Sequence, residues 1–276
     1  MIQTRSLRAH DGVSVGVRSS GERGPAVVFV HGVGSTAAIW DNQLLALGPR
    51  YRCFAVELRG NGAVKDPDPS LITRTGFVAD VLTVADDAGL DTFHFVGCSL
   101  GGVVGFELWR QAEQRVASLT FVDSFAAYPN ADQTAQTIID AATAAGNLAD
   151  FAKPRAARLL APNAPPKRFT ETIEQYACKS IPCYVAATKA TWTGDYRSDL
   201  ARITVPVLVI CGELDPIAPV ALSQEIANGI PGAKLIVIPN ANHVSNADAP
   251  ERFNALLEEF LGDAVRAGVD VKAPTA

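Results

Sequence analysis

The chain has 276 residues, of which 48% are hydrophobic and 19% charged, and its net charge is −5 at pH 7. This length and composition predict one large α/β domain, or one domain with an insertion, that buries a sizeable core. The charged residues form no basic stripe, which argues against nucleic acid or an anionic membrane surface as a partner. We therefore expect a small, soluble molecule as the partner.

The N-terminal sequence and the spacing of the cysteines indicate in which cellular compartment the protein lies. The N-terminus has no apolar core of a signal peptide, and no run approaches the roughly 18 apolar residues of a membrane span. The five cysteines are an odd number, widely spaced and without a C-x-x-C pair. Such thiols are typical of reduced, mostly buried cysteines, so we expect a cytoplasmic protein.

The first half of the chain alternates strand and helix patterns. Residues 5–18 alternate around Asp11-Gly12, which predicts a hairpin. Residues 26–30 are continuously apolar, as expected of a strand buried on both faces. Further elements predicted in this half are strands at 52–56, 93–96 and 116–122 and a helix at 73–90. Strands that alternate with helices predict a mostly parallel sheet.

Residues 97–102 read Gly-Cys-Ser-Leu-Gly-Gly and lie between a strand pattern and a helical pattern. G-x-S-x-G at a strand-to-helix turn is the signature of a nucleophile elbow, which exposes the serine hydroxyl above the sheet. Glycine is needed on either side because side chains there would collide with the backbone. We expect Ser99 to be a nucleophile; the alternative is a glycine-rich turn with a helix-capping serine. Cys98 is expected to pack beneath the turn.

A second glycine-rich loop, His-Gly-Val-Gly-Ser at residues 31–35, follows the first buried strand. In elbow folds one oxyanion donor is the amide after the nucleophile, and the other comes from an early βα loop. The sequence therefore predicts the N–H groups of Leu100 and Val33 as an oxyanion hole. Leu100 also begins a helix, where amides lack partners. The alternative is a plain loop in which Ser35 or Thr36 caps the next helix.

The sequence changes character between residues 125 and 196. Strand patterns give way to alanine-rich helical stretches near 132–145, 147–161 and 166–179, which prolines and a glycine interrupt. We interpret residues 125–196 as a helical lid inserted into a core of residues 1–124 and 197–265, with a frayed tail at 266–276. Trp192 and Tyr184 are candidates for lining the substrate cavity, with packing as the alternative.

Strand patterns return at 205–211 and 234–238, and an amphipathic helix is predicted at 250–261. A serine hydroxyl needs a base within hydrogen-bond reach. Of the four histidines, only His243 follows a late strand, where it can reach the carboxyl edge of a parallel sheet. We expect His243 to be the base and His31 to brace its loop.

The base needs an orienting carboxylate. Asp215 follows the strand at 205–211 and gives the order Ser…Asp…His of elbow enzymes. Asp123, at the end of the strand after the elbow helix, is the rival position. We prefer Asp215, and we assign Asp248 and Glu251 to a loop and a helix start.

Five short segments together resemble the α/β-hydrolase superfamily. They are His31-Gly-Val-Gly, Arg59-Gly-Asn-Gly, Gly97-x-Ser-x-Gly-Gly, Gly212-x-x-Asp-Pro and Asn242-His243, and the resemblance covers residues 5–262 except the lid. It implies an α/β-hydrolase fold, a mostly parallel sheet flanked by helices with the helical lid inserted. Residues 98–102 and 243–246 most resemble 3-oxoadipate enol-lactonases, which open a small anionic lactone in aromatic-compound degradation without a cofactor. The resemblance implies no metal or cofactor here.

The chain also departs from the superfamily. Glu57 and Asn61 replace the usual Asp and His of the Asp-x-Arg-Gly-His-Gly loop, which we expect to alter packing more than chemistry. Serine at position 99 argues against the aspartate-nucleophile relatives. Candidate partners for a substrate carboxylate are Arg59, Lys179, Lys189 and Arg197, and the sequence does not choose among them.

The resulting hypothesis is a serine hydrolase of a carboxylic ester or lactone with Ser99, His243 and Asp215 as its triad. One alternative is a meta-cleavage C–C hydrolase or a cofactor-free perhydrolase, although residues 244–246 lack the tryptophan typical of the former. Another is a non-catalytic receptor that closes its lid on a small molecule. The oligomeric state, monomer or homodimer, stays open.

Overall fold

The computed structural model describes residues 1–62 and 67–266. Its centre is an eight-stranded sheet with the order β1-β2-β4-β3-β5-β6-β7-β8. The strands are β1 (Gln3–Arg8), β2 (Ser14–Ser20), β3 (Ala26–Val30), β4 (Arg52–Glu57), β5 (Phe93–Cys98), β6 (Val116–Val122), β7 (Val207–Gly212) and β8 (Lys234–Ile238). The predicted hairpin is the antiparallel pair β1 and β2, and β2 also pairs antiparallel with β4. The strands from β4 to β8 run parallel, which confirms the predicted sheet.

Helices cover both faces of this sheet, because the central strands are apolar on both sides. They are α1 (Asp41–Leu47), α2 (Arg74–Asp87), α3 (Leu100–Ala112), α4 (Ala131–Ala144), α5 (Leu148–Leu159), α6 (Pro166–Ala177), α7 (Ile181–Trp192), α8 (Val220–Gly229), α9 (Ser245–Asp248) and α10 (Pro250–Arg266). Along β3, Val28 and Val30 pack in the cluster that includes α2 and α3, whereas Val27 and Phe29 pack with α1 and α10. The alternation of strand side chains therefore builds two cores, one on each face.

The stretch between β6 and β7 is helical, as predicted, but it contains four helices rather than three. The fourth, α7, begins at Ile181, where Pro182 was expected to interrupt the structure. Proline is tolerated in the first turn of a helix because that N–H has no partner there. The two ends of the segment meet: Ala127 bridges Asp195, and the Tyr196 N–H donates to the Ala126 carbonyl at 2.8 Å. We call residues 125–196 the helical insertion.

The C-terminal helix is longer than the sequence predicted. The apolar spacing indicated a helix over 250–261, whereas α10 continues to Arg266. The start of the predicted frayed tail is thus helical at residue 266, and its remainder, residues 267–276, lies outside the described residues. None of the helices in residues 1–62 and 67–266 is both long and apolar enough to cross a bilayer.

Candidate active site

The turn at Ser99 has the geometry that its glycines predicted. β5 ends at Cys98, α3 begins at Leu100, and Ser99 between them has φ +54° and ψ −112°. A Cβ on Gly97 would lie 2.2 Å from the carbonyl oxygen of Gly101, and one on Gly101 would lie 2.2 Å from that of Val30. These distances are shorter than any van der Waals contact, so the tight turn depends on both glycines.

Three side chains that are far apart in the sequence meet at the carboxyl edge of the sheet. Nε2 of His243 lies 3.1 Å from Oγ of Ser99, and Nδ1 lies 2.8 Å from Oδ2 of Asp215. The other carboxylate oxygen, Oδ1, accepts hydrogen bonds from the backbone N–H groups of Ile217 and Ala218 at 2.8 and 3.0 Å. A carboxylate in this position favours a proton on Nδ1, which leaves the Nε2 lone pair facing the serine hydroxyl.

Asp123, the rival carboxylate, contacts the backbone instead of the imidazole. Its Oδ1 accepts from the Gly212 N–H at 2.8 Å, and its Oδ2 accepts from the N–H and the hydroxyl of Ser245 at 2.9 and 2.7 Å. Burial and the charge of Asp215 raise the pKa of Asp123 to about 7. Gly212 lies shortly before Asp215 in the chain, and Ser245 lies shortly after His243. Asp123 therefore links the loop that carries Asp215 to the loop that carries His243.

The pKa values of the imidazole and its carboxylate move in opposite directions. Burial alone would raise the pKa of Asp215, but the charge and hydrogen bond of His243 outweigh burial and hold that pKa below its ordinary value. Burial alone would lower the pKa of His243, and the charge and hydrogen bond of Asp215 outweigh it and raise that pKa. The pair therefore favours a proton on the imidazole, which is what a general base needs.

The loop at residues 31–35 approaches Ser99 from the neighbouring strand. A Cβ on Gly32 would lie 3.2 Å from Cβ and 3.7 Å from Oγ of Ser99. Within the described chain, neither the Val33 nor the Leu100 N–H donates to a protein acceptor. Leu100 follows Ser99 directly in the chain and Val33 lines the cavity at Ser99, so both amides stay candidate donors to an oxyanion.

His31 and the two atypical loop residues hold this region together. Nδ1 of His31 lies 2.9 Å from the Gly32 carbonyl oxygen, and Nε2 accepts from the Leu58 N–H at 3.2 Å. Glu57 accepts from the Ala37 N–H at 3.1 Å through Oε2. The Asn61 side chain donates to the Leu58 carbonyl at 2.9 Å. These contacts are structural, in line with the bracing role expected of His31.

Cys98 lies directly under the site, as expected. Its side chain is buried, and Sγ lies 3.9 Å from the His243 carbonyl oxygen. Burial, with the charges of Asp123 and Asp215, raises the pKa of the thiol well above its ordinary value. A thiol that stays protonated is a poor nucleophile, so Cys98 packs rather than competes with Ser99.

A narrow cavity of about 30 Å³ opens onto Ser99 and His243. The 31–35 loop forms one wall, and the helical insertion forms the other through Leu159, Leu160, Thr172, Gln175 and Tyr176. Among the described residues, its lining includes no Lys, Arg, Asp or Glu. Gln175 and Tyr176 come from an amphipathic helix without any motif, so sequence analysis did not identify them. The cavity is apolar and carries no fixed charge apart from the site itself.

The two aromatic candidates lie away from this cavity. Trp192 stacks on Phe125 with ring centroids 5.3 Å apart and lines a different cavity, together with Tyr128 and Ile217. Tyr184 is buried behind Tyr176, with their ring centroids 5.6 Å apart. Of the two tyrosines, Tyr176 and not Tyr184 lines the cavity at Ser99.

Of the four cationic candidates for binding a substrate carboxylate, two contact other groups of the protein and two lie on the surface. Arg59 is buried and pairs with Asp80 at 2.7 Å. Lys179 donates to the Ser35 carbonyl at 3.0 Å, behind the 31–35 loop. The remaining two, Lys189 and Arg197, are exposed. In the part of the chain that the structure describes, no cluster of three or more His, Cys, Asp or Glu side chains could hold a metal ion.

Comparisons with known proteins agree with this architecture. The chain is 28% identical to 3-oxoadipate enol-lactonase 1 of Acinetobacter baylyi, over 94% of this chain and 97% of that protein. It is also 28% identical to the pimeloyl-[acyl-carrier protein] methyl ester esterase of Nitrosomonas europaea, over 87% and 96% of the two chains. The crystal structure of a hydrolase from Pseudomonas aeruginosa superposes with a TM-score of 0.87 at 30% identity, over 94% and 98%. The model of the alpha/beta hydrolase family matches residues 27–256, and the chain belongs to this family.

Proposed function

We propose that the protein is a serine hydrolase of carboxylic esters or lactones. The observation that carries the proposal is the continuous contact from Asp215 through His243 to the hydroxyl of Ser99, with distances of 2.8 and 3.1 Å. A buried carboxylate, an imidazole and a serine hydroxyl in this order are the requirements for activating an alcohol as a nucleophile at neutral pH.

The proposed reaction has two halves. Oγ of Ser99 attacks the substrate carbonyl while Nε2 of His243 takes the hydroxyl proton, and the carbonyl oxygen becomes negative beside the N–H groups of Val33 and Leu100. The imidazolium, stabilised by Asp215, then gives that proton to the leaving alcohol oxygen as the ester bond breaks. Water attacks the acyl-enzyme in the same way, which releases the acid and restores the serine hydroxyl.

A lactone is the finer substrate assignment that we favour. The enol-lactonase of Acinetobacter baylyi shares 28% identity over nearly the full length of both chains. In a lactone the leaving oxygen stays attached to the acyl group, so the first half-reaction leaves one product on the serine and releases none. A compact ring suits the narrow cavity at Ser99, whose walls are the 31–35 loop and the helical insertion.

The decisive experiment compares the wild-type protein with Ser99→Ala on para-nitrophenyl esters and on an enol-lactone. We expect kcat to fall by about 10⁴-fold or more, because neither the imidazole nor the amides can replace the nucleophile. The proposal is wrong if the two proteins turn over every ester and lactone at equal rates. Tight binding of these compounds without turnover by the wild type would point instead to a receptor.

A further inference from the structure

The chain that leaves helix α5 contacts both the cavity at the nucleophile and the loop of His243. Leu159 ends α5, and it lines the cavity together with Leu160. The Leu160 carbonyl accepts a hydrogen bond at 3.0 Å from the side-chain amide of Asn242, the residue before the base. Leu160 and Asn242 are only 2% and 6% exposed, which limits competition from water. One short segment of the helical insertion thus contacts the substrate cavity and the loop of the base.

Asp248 adds a second contact between the same two parts of the chain. It ends the short helix α9, where the sequence predicted a loop. Its Oδ2 accepts two backbone hydrogen bonds, from the Asn242 N–H at 2.9 Å and from the Ala161 N–H at 3.1 Å. A single carboxylate oxygen therefore joins the helical insertion to the residue before His243.

Asn242 is bonded directly to the base. Its Oδ1 accepts from the His243 N–H at 2.9 Å, while its Nδ2 donates to the Leu160 carbonyl. The two contacts agree on the orientation of the amide, because one needs its oxygen and the other its NH₂ group. The imidazole of His243 in turn lies 2.8 Å from Asp215 and 3.1 Å from Ser99. A shift of the backbone at residue 242 would change both distances.

We propose that Asn242 and Asp248 are positioning residues, which hold His243 in place by joining its loop to the end of α5. The proposal rests on the hydrolase function proposed above and adds that the base is correctly placed only when the helical insertion is seated on the core. The insertion then has two roles, because it forms a wall of the cavity and also fixes the geometry of the base. A substrate that displaces Leu160 should therefore lose rate as well as affinity.

The first test is Asp248→Ala, which removes the acceptor of both backbone N–H groups. With para-nitrophenyl acetate as the substrate, we expect kcat to fall by about 10- to 100-fold, because a misplacement of about 1 Å can cost about 10²-fold in rate. KM should stay close to that of the wild type, since the nucleophile and the lining of the cavity are unchanged.

Asp248→Asn separates geometry from charge. Both N–H groups bond to the same oxygen, and the oxygen of an amide can still accept them. Asp248→Asn should therefore retain most of the wild-type kcat. Equal losses in Asp248→Ala and Asp248→Asn would overturn the proposal, because they would mean that the charge of the carboxylate acts on the imidazole instead.

The matched control is Asp263→Asn, which removes the charge of an exposed carboxylate that pairs with Arg266 on α10. It should keep the wild-type kcat and KM, and thermal unfolding checks that each variant is folded. A wild-type kcat in Asp248→Ala, or a loss confined to KM, would overturn the proposal. A wild type no faster than Ser99→Ala on this ester would instead refute the hydrolase function, so the two failures are distinguishable.

Ala161→Pro tests the contact from the side of the insertion, because proline has no N–H to donate to Asp248. Leu160 has φ −99° and ψ 149°, a conformation that a residue before proline adopts readily. We expect kcat to fall by about fivefold, which corresponds to the net contribution of one hydrogen bond. The test does not require Asp248→Ala to fold, and a wild-type kcat in Ala161→Pro would overturn the proposal.

The double variant Asp248→Ala with Ala161→Pro completes the comparison. Once the acceptor is absent, loss of the N–H should cost little more, so the double variant should resemble Asp248→Ala alone in kcat. Losses that multiply would show that the two residues act independently, which would refute the proposed link.

Discussion

At the scale of single residues, the two neighbouring carboxylates of the site have different hydrogen-bond partners. Asp215 faces the imidazole of His243, whereas Asp123 accepts hydrogen bonds only from backbone and hydroxyl donors of the adjoining loops. Both carboxylates are buried, but only the one beside the imidazole keeps a lowered pKa. Contact with a group that can carry a positive charge holds the pKa of Asp215 down, whereas burial and the charge of Asp215 raise the pKa of Asp123.

Asp215→Asn should change both the rate and its dependence on pH. We expect kcat/KM to fall by about 10⁴-fold, because the amide no longer fixes the tautomer or stabilises the imidazolium. A base acts only when unprotonated, so kcat/KM rises with pH through the pKa of His243. Asp215 raises that pKa, and its removal leaves burial, which lowers it. The acidic inflection of the pH profile should therefore move to lower pH.

Asp123→Asn is the comparison for this profile. The charge of Asp123 also raises the pKa of His243, but its effect ranks below that of Asp215. We expect its inflection to move in the same direction by less, with a smaller loss of rate. An inflection that moves to higher pH in Asp215→Asn would contradict the assignment.

At the scale of elements, helix α3 contains glycines that lower its intrinsic stability, and their small size lets the helix approach the sheet closely. It carries glycine at positions 101, 102 and 105, which weakens an isolated helix. A Cβ on Gly102 would lie 2.2 Å from the Ser124 hydroxyl, and one on Gly105 would lie 2.8 Å from the Phe95 ring. The helix therefore packs directly under the elbow only because these side chains are missing.

Gly101→Ala and Gly262→Ala should have opposite effects on stability. Both positions are helical, but a Cβ on Gly101 meets the Val30 carbonyl at 2.2 Å, whereas one on Gly262 meets only the mobile end of Arg266 at 3.5 Å. Urea unfolding should show a loss of about 1–3 kcal/mol or more for Gly101→Ala. Gly262→Ala should gain up to about 1 kcal/mol from helix propensity. Equal effects would mean that packing at the elbow is not tight.

The helical insertion is fastened to the 31–35 loop by polar contacts. Lys179 donates to the Ser35 carbonyl at 3.0 Å and to the Gln175 carbonyl at 2.7 Å, and the Ser35 hydroxyl donates to the Gln175 side chain at 2.8 Å. Gly34 lies against the ring of Tyr176 with no room for a side chain. These contacts come from α6 and the turn after it, so the position of the insertion constrains the Val33 amide.

Lys179→Met should therefore lower kcat more than it changes KM. We expect a loss of about tenfold in kcat, less than the roughly 10²–10³ that follows removal of an oxyanion donor itself. The measurement is steady-state kinetics on a neutral ester, with thermal unfolding to check that the variant is folded. Lys189→Met, on the exposed side of α7, is the control and should retain wild-type kcat. A loss confined to KM would argue against a positioning role.

At the scale of the whole molecule, one buried arginine joins three distant parts of the chain. Arg59 pairs with Asp80 of α2 and with Asp11 in the β1–β2 turn, both at 2.7 Å, and donates to the Leu71 carbonyl at 3.1 Å. Burial raises the pKa of Asp80 to about 6 even though Arg59 acts against it. The positive charge of Arg59 therefore offsets part of the cost of burying the Asp80 carboxylate.

Arg59→Met should destabilise the fold by about 3–5 kcal/mol, because it leaves Asp80 buried without a counter-charge. The double variant Arg59→Met with Asp80→Leu should recover most of that loss, since it buries no charge at all. Urea unfolding at neutral pH measures both. Removing the exposed Arg197–Asp195 pair should change stability little. A double variant no better than the single one would refute this explanation.

The sequence predicted the parts of the fold that depend on local pattern. Alternating strands and helices, the turn at Ser99 and the loops carrying Asp215 and His243 each have a short-range signal in turn chemistry or apolar spacing. The strand order, with β4 outside β3, depends on long-range pairing and has no such signal. Gln175 and Tyr176 were missed because they lie on an ordinary amphipathic helix, and only the folded structure places them at the cavity of Ser99.

The β-bridge between Ala127 and Asp195, where the helical insertion begins and ends, has a consequence for how such a protein can change in evolution. A segment that departs and returns at one point can be replaced by a longer, shorter or unrelated one without disturbing the strands on either side. We therefore expect selectivity to depend mainly on the insertion, and the reaction on residues at the edge of the sheet. We expect exchange of residues 128–194 for those of a relative to change which acyl group is preferred, and to lower kcat unless the new segment also supports the 31–35 loop as Gln175 and Lys179 do.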